Sequence, residues 1–102
     1  MIIRHCVFLR FRDAISRPER DQLYADLDAL RHALPGLLAF KAGPNVSPEG
    51  LGKGFAEGFV ADFADVAARD AYLDDPRHRA IGARIGMATG GTDGILVFDL
   101  AL

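Results

Sequence analysis

The sequence contains little of what would assign it to several common functional classes. It has a single cysteine, Cys6, so no disulfide can form within the chain, which is typical of a reducing compartment. Its formal net charge is −2, and its basic residues form no stripe or patch suited to nucleic acid or to an anionic membrane surface. No apolar run is long enough to span a bilayer, and residues 1–5 lack the apolar core of a signal peptide. We therefore expect a cytoplasmic protein that binds neither nucleic acid nor membrane.

The composition is that of a small globular protein. The chain has 102 residues, of which 50% are hydrophobic and 25% charged, so we expect one domain over residues 1–102. A chain of this size buries only about two thirds of its surface on folding. Its apolar content therefore suggests further burial against a partner.

The first half of the chain predicts a strand, a helix and a second strand. Residues 2–11 are mainly β-branched, aromatic or aliphatic, with apolar side chains on both faces, as in a strand covered on both sides. Ser16 and Glu19 form a capping box around Pro18, which predicts a helix start. Four leucines follow at helical spacing and form one apolar stripe: Leu23, Leu27, Leu30 and Leu34. Pro35 and Gly36 end this helix, and residues 37–42 predict the next strand.

The second half of the chain predicts a long loop, a strand, two helices and a last strand. Residues 43–54 are too rich in glycine and proline for regular structure, and a third strand through Phe55, Phe59 and Phe63 follows them. Asp65 can cap a helix over residues 66–74 that Pro76 interrupts. A shorter helix is expected from about residue 77 through residue 85, residues 86–94 predict no definite conformation, and residues 95–101 form the last strand.

The order βαββαβ is typical of the α+β ferredoxin-like fold, a four-stranded antiparallel sheet with its helices on one face. The other face would carry Ile2, Cys6, Phe8 and alternate residues of the remaining strands. An apolar face of that size is unfavourable in water. We therefore expect a homodimer in which two sheets pack face to face, that is, a dimeric α+β barrel.

Several stretches, in this order and spacing, resemble the stress-responsive A/B barrel family, often called the Dabb domain. The stretches that carry the resemblance are Ile3-Arg4-His5, Pro35-Gly36-Leu37, residues 43–50, residues 72–78 and Val97-Phe98-Asp99. The resemblance covers nearly the whole chain and implies a dimeric α+β barrel, in agreement with the strand pattern. Most members of the family are uncharacterised proteins associated with stress.

One plant branch of this family consists of polyketide cyclases, which close a linear poly-β-ketone by aldol condensation without a metal or an organic cofactor. The resemblance places the working residues of that branch at His78, Tyr72 and His5, and all three residue types are present here. A further pocket tyrosine of that branch falls at Leu27. This difference argues against the same substrate.

These residue types suit proton transfer on a carbonyl compound. A neutral imidazole with a pKa of about 6.5 can remove a proton next to a carbonyl group, and a phenol can hold the enolate oxygen that forms. Tyr72 and His78 flank Pro76, where the chain turns back, so both can reach one space near His5. We expect a small apolar ligand in a cavity lined by Leu9, Leu23, Leu27 and Leu30.

Other interpretations of the same residues remain open. His78 can be a hydrogen-bonded structural residue after a helix break, Tyr72 a core aromatic, and His5 a buried, satisfied histidine. The protein would then be a non-catalytic dimer that binds a small ligand or acts in the stress response, and a cofactor-free monooxygenase is a further alternative. The three histidines are too dispersed for a metal site, and residues 50–54 lack the spacing of a phosphate loop, so we expect no metal and no cofactor.

Overall fold

The computed structural model describes residues 1–102. Strand β1 (Ile3–Leu9) leads to helix α1 (Arg17–Ala29), and a 3-10 turn (Leu30–His32) connects it to strand β2 (Leu37–Pro44). Strand β3 (Glu57–Phe63) precedes helices α2 (Val66–Asp74) and α3 (Pro76–Thr89). A second 3-10 turn (Thr92–Gly94) then leads to strand β4 (Ile95–Ala101). This is the predicted βαββαβ order with the additional helix.

The four strands form one antiparallel sheet in the order β2-β3-β1-β4. Side chains alternate between its two faces. The odd residues of β1 and β3 pack under the helices in a core that includes Val7, Leu9, Phe59, Phe63 and Leu27. We call the other side, which no helix covers, the open face. Its central residue Cys6 is nevertheless buried among its neighbours.

Side-chain caps fix where the helices begin. Ser16 and Glu19 form the predicted capping box at the start of α1. Asp65 accepts a hydrogen bond from the amide of Ala68 at 2.8 Å and caps α2. Asp75 is both the last cap of α2 and the first cap of α3, where its carboxylate accepts from the amide of Arg77 at 2.8 Å. A single residue therefore separates these two helices.

The structure differs from the expectations mainly at the ends of elements. Helix α3 runs to Thr89, beyond the predicted end near residue 85, because Ile85 and Ala88 bury an apolar face in spite of Gly86. Gly90 ends the helix with φ of 78°, a left-handed conformation that glycine adopts easily. Residues 86–94 are thus the last turn of α3, a glycine cap and a 3-10 turn. Strand β1 is shorter than expected, and Phe55 precedes β3.

The open face is largely apolar, as the sequence predicts. Leu96, Phe98 and Leu100 of β4 lie on it, each with 43% to 45% of its surface exposed. Its charged residues include Arg4 and Asp62, which form a two-pronged ion pair with each other at 2.8 and 3.0 Å. None of the helices is long and apolar enough to cross a membrane.

Candidate functional site

The structure brings His5, Tyr72 and His78 together on the helix side of the sheet. His5 lies on β1, Tyr72 in the last turn of α2, and His78 in the first turn of α3. The ring centres of Tyr72 and His78 are 4.1 Å apart, and those of His5 and Tyr72 are 5.9 Å apart. The break at Pro76 turns the chain back, so residues six apart in sequence meet in space. We call these three side chains the His-Tyr-His cluster.

Two polar atoms of this cluster are buried without a hydrogen-bond partner in the protein, the hydroxyl of Tyr72 and Nδ1 of His78. Tyr72 is only 1% exposed. The carbonyl of Leu73 lies near His78 but does not form a hydrogen bond of normal geometry with Nδ1. Buried polar atoms are nearly always paired, because an unmade hydrogen bond costs about 1–3 kcal/mol. Two adjacent unpaired atoms therefore mark a place suited to a polar group from outside the chain.

Burial also sets the protonation of this pair. It raises the pKa of the Tyr72 hydroxyl, which stays a neutral donor. Burial lowers the pKa of His78, and the nearby His5 adds to this effect. His78 is therefore neutral near pH 7 and has a ring nitrogen free to accept a proton. A neutral imidazole beside a neutral phenol is an arrangement able to carry out acid–base chemistry.

His5 is linked to two polar residues that sequence reasoning did not assign to the site, directly to Asp99 and through it to Arg69. Its Nδ1 lies 2.7 Å from a carboxylate oxygen of Asp99, the residue opposite it on β4. The other oxygen of Asp99 accepts a hydrogen bond from Arg69 of α2. Burial would raise the pKa of Asp99, but the hydrogen bonds from His5 and Arg69 hold that pKa below its usual range. An ionised Asp99 favours the proton on Nδ1 and leaves Nε2 as the accepting nitrogen.

The sequence held a partial signal for these partners. Asp99 is an acidic residue in an otherwise apolar strand, a pattern that indicates a polar or basic partner elsewhere in the chain. The strand register places Asp99 opposite His5, and the position of α2 identifies Arg69 as the arginine that binds Asp99. Neither contact can be read from the sequence.

The leucines expected to line an apolar cavity are instead packed in the core. Leu9, Leu23, Leu27 and Leu30 are all buried and belong to the same apolar cluster as Tyr72. A surface hollow of about 570 Å³ lies elsewhere, between the open face and the loop of residues 45–56. Its lining includes none of the His-Tyr-His cluster. The hollow is thus separate from the cluster, in which His5 and Tyr72 are buried and His78 is half-buried.

A second polar cluster, also missed from the sequence, surrounds Glu57 at the start of β3. Its carboxylate is 6% exposed and accepts hydrogen bonds at 2.8 to 2.9 Å from Arg17, Arg20 and the hydroxyl of Tyr24. Burial would raise the pKa of Glu57, but these three donors hold it below its usual range. Each donor is satisfied, so this cluster ties α1 to the sheet. A signal was present, since Glu57 shares the inward-facing positions of β3 with Phe59.

The residues of the site do not include an arrangement for a metal. No group of three or more histidine, cysteine, aspartate or glutamate side chains is placed to hold a metal ion. His32, the third histidine, lies at the exposed end of the 3-10 turn after α1, away from the other two.

Fold and open face together define an α+β protein of the ferredoxin-like class. A family model described as the stress responsive A/B barrel domain matches residues 3–101. The chain belongs to this family, as its sequence motifs predict.

Solved structures support the same assignment. A dimeric ferredoxin-like protein of unknown function from Jannaschia sp. CCS1 is 35% identical, with a TM-score of 0.92 and 100% of both chains covered. The hydroxynitrile lyase from Passiflora edulis is 25% identical, with a TM-score of 0.86 over 99% of this chain and 93% of that chain. A Dabb family protein from Mesorhizobium loti is 26% identical, with a TM-score of 0.75 over 99% and 96%. The predicted ferredoxin-like fold is confirmed. No curated protein sequence matches the chain.

Proposed function

We propose that this protein is a homodimer in which each protomer binds a small apolar carbonyl or polyketide-like compound at the His-Tyr-His cluster and transfers a proton on it. The observation that carries this proposal is the pair of buried, unpaired atoms, the Tyr72 hydroxyl and Nδ1 of His78. A carbonyl oxygen would accept a hydrogen bond from Tyr72. The hydrogen-bonding capacity that the chain leaves unused would then be satisfied.

Each side chain has a defined task in this proposal. His78 removes the proton from the carbon next to the carbonyl group, and the electron pair moves onto the carbonyl oxygen as an enolate. Tyr72 holds that oxygen by a hydrogen bond at a buried position, where such a contact is stronger than in bulk water. The lowered pKa of His78 keeps it neutral and ready to accept the proton.

His5 supports the reaction from the strand side. Its contact with Asp99 orients the ring and places Nε2 as an acceptor. Arg69 in turn fixes Asp99. The enolate regains a proton from the imidazolium of His78, which returns His78 to its neutral starting state.

The similarity to a hydroxynitrile lyase supports an enzymatic role. That protein shares the fold and 25% of its residues with this chain, and by its name it acts on a hydroxynitrile. It shows that this fold can carry chemistry on a small organic compound. The substrate of the present chain is a separate proposal, resting on its own cluster.

Exchange of carbon-bound hydrogen for deuterium tests the proposed proton transfer directly. The wild-type protein in D₂O, given a panel of small aliphatic and aromatic ketones, should speed deuterium uptake next to the carbonyl group, followed by NMR. His78→Gln and Tyr72→Phe should each reduce the rate by about 10²- to 10⁴-fold, the usual contribution of a general acid or base.

The chain offers matched controls for both variants. His32→Gln changes an exposed histidine, and Tyr24→Phe changes a buried phenol that belongs to the Glu57 cluster. Both should retain the wild-type exchange rate. Uptake at the buffer rate with every ketone, or equal loss in the controls, would contradict the proposal.

A non-catalytic role in the stress response is the second candidate, and one observation favours it. The leucines expected to line a cavity fill the core instead, so little room is left beside the cluster. This candidate predicts that ketones take up no deuterium and do not stabilise the protein thermally, and that Tyr72→Phe changes neither result.

A further inference from the structure

The hollow between the open face and the loop of residues 45–56 has the size and lining of a small-molecule site. Its volume of about 570 Å³ lies within the range of about 300–1,000 Å³ that is typical of such sites. The sheet supplies a floor that includes Gly43, Val60 and Phe8, and the loop supplies a wall that includes Leu51 and Phe55. None of these residues is polar, so the space suits an apolar molecule.

Hydrogen bonds within the loop hold this wall in place. The amide of Asn45 donates to the carbonyl of Ala56 at 2.8 Å, where the loop leaves the sheet. The amide of Phe55 donates to the carbonyl of Gly52 at 2.9 Å and closes a tight turn. The guanidinium of Arg10 lies over the ring of Phe55, 5.4 Å from its centre, and restricts that ring. The hollow is therefore formed in advance, which lowers the entropy cost of binding.

Two cations without a partner line the hollow. The chain has two lysines, Lys41 on the open face of β2 and Lys53 in the loop, and both belong to the lining. Every arginine donates a side-chain hydrogen bond to another group of the chain, whereas neither lysine does. The unpaired lysine and arginine side chains of the chain are thus concentrated at this one place.

The carboxylates of the lining do not balance the two lysines. Glu57 is already held by two arginines and the hydroxyl of a tyrosine. Glu49, on the exposed loop, can offset only one lysine. One positive charge is left over, and it favours a ligand with a single negative charge.

Lys41 lies where a positive charge is most in need of a partner. It is opposite Val60 on the open face, while Arg4, the other cation of the strands on this face, is paired with Asp62. An ammonium enclosed without a counter-charge is strongly unfavourable, so a subunit covering this face would make the imbalance worse. Packed sheets lie about 10 Å apart, and Gly43 next to Lys41 adds no side chain to fill that gap. A ligand carboxylate at this point would supply the missing charge.

We propose that the hollow binds an apolar monocarboxylate, with the carboxylate held by Lys41 and Lys53 and the apolar body lying along the floor and the loop wall. In the homodimer the partner subunit closes the site from above, so the ligand is enclosed between the subunits. The site is separate from the His-Tyr-His cluster, and it does not depend on the proton transfer proposed there.

Titration with straight-chain carboxylates tests this site. Octanoate should shift the amide NMR signals of Lys41, Gly43 and Lys53 in the ¹⁵N-labelled wild-type protein, and leave those of Tyr72 and His78 in place. Each methylene added to the chain should tighten binding by up to about 4-fold, the gain from removing one CH₂ from water. Octanol and octylammonium have the same tail without the carboxylate and should bind at least about 10-fold more weakly. Phenylpropionate, with an aromatic body of similar size, distinguishes an aromatic from an aliphatic ligand.

Substitutions test the named residues. Lys41→Gln and Lys53→Gln should each weaken octanoate binding by about 3- to 10-fold, and Lys41→Arg should retain it. Arg79→Gln removes an exposed cation of α3 and should bind octanoate like the wild type. Gly43→Leu should abolish binding, because its side chain would enter the open space of the hollow. Gly82→Leu is its matched control, since an added Cβ there also meets nothing within 4 Å, and it should bind normally.

The homodimer gives a further readout. A ligand enclosed between the subunits should strengthen dimerisation in sedimentation as the octanoate concentration rises. Dissociation of the dimer by octanoate would mean that ligand and partner compete for the same space, and it would overturn the proposal. A wild-type protein that binds none of the carboxylates, or lysine variants that bind octanoate as tightly as the wild type, would overturn it too. Deuterium uptake by ketones should be unchanged in Lys41→Gln, so failure of this site and failure of the proton transfer are separate results.

Discussion

The Glu57 cluster predicts a large loss of stability when its carboxylate is removed. Glu57→Ala leaves the buried hydroxyl of Tyr24 without its acceptor and leaves Arg20, whose side chain is 21% exposed, without its partner. Breaking a buried pair costs about 3–5 kcal/mol. Arg17 is 53% exposed, so water screens its share of the cluster strongly. We therefore expect a decrease of about 3 kcal/mol in the free energy of unfolding.

Urea denaturation measures this change. With a slope of about 1.5 kcal/mol per molar, a loss of about 3 kcal/mol lowers the midpoint by about 2 M, while the slope itself stays constant. The protein concentration must be the same in all samples, because association adds to apparent stability. Glu49→Ala, an exposed glutamate of the loop, is the matched control and should shift the free energy by less than about 0.5 kcal/mol. A decrease below about 1 kcal/mol for Glu57→Ala would refute the view that this carboxylate ties α1 to the sheet.

Two further predictions concern packing and pH. Gly58→Ala should lower the free energy of unfolding by about 1–3 kcal/mol, because the new Cβ would lie 2.3 Å from the backbone carbonyl oxygen of Val7. Gly43→Ala is the control and should be nearly neutral, since its Cβ meets nothing within 4 Å. Equal effects of the two variants in urea denaturation would show that the contact with Val7 does not matter. The lowered pKa of His78 means that the unfolded chain takes up a proton below about pH 6.5 before the folded chain does, so stability should fall as the pH drops through this value. In melts between pH 7.5 and pH 5, His78→Gln should flatten this slope; an unchanged slope would speak against a buried neutral imidazole at this position.

The sequence predicted the order of elements and where the helices begin, because these depend on local signals. The capping box at Ser16, the cap at Asp65 and the break at Pro76 act within a few residues of chain. The end of α3 was misjudged for the same reason. Gly86 lowers helix propensity locally, but the burial of Ile85 and Ala88 against the rest of the core outweighs it.

The site could be predicted only in part. The proximity of Tyr72 and His78 follows from their spacing around a helix break, which is again local. The contact of His5 with Asp99 depends on strands that are more than 90 residues apart in sequence and on their register. Glu57 of β3 is held by side chains from helix α1, and no local pattern identifies them. Long-range pairing of charged groups is decided by the tertiary fold.

The single-residue junction at Asp75 has a consequence for how this family of chains can vary. Asp75 has an extended backbone, so a second residue at this point would lengthen the link between the two helices by about 3.3 Å. One residue inserted between α2 and α3 would therefore swing His78 away from Tyr72, although every side chain of the site were still present. The number of residues between α2 and α3 is therefore the property that a chain must keep for the imidazole of His78 and the phenol of Tyr72 to face each other. The identity of the residues next to this junction matters less.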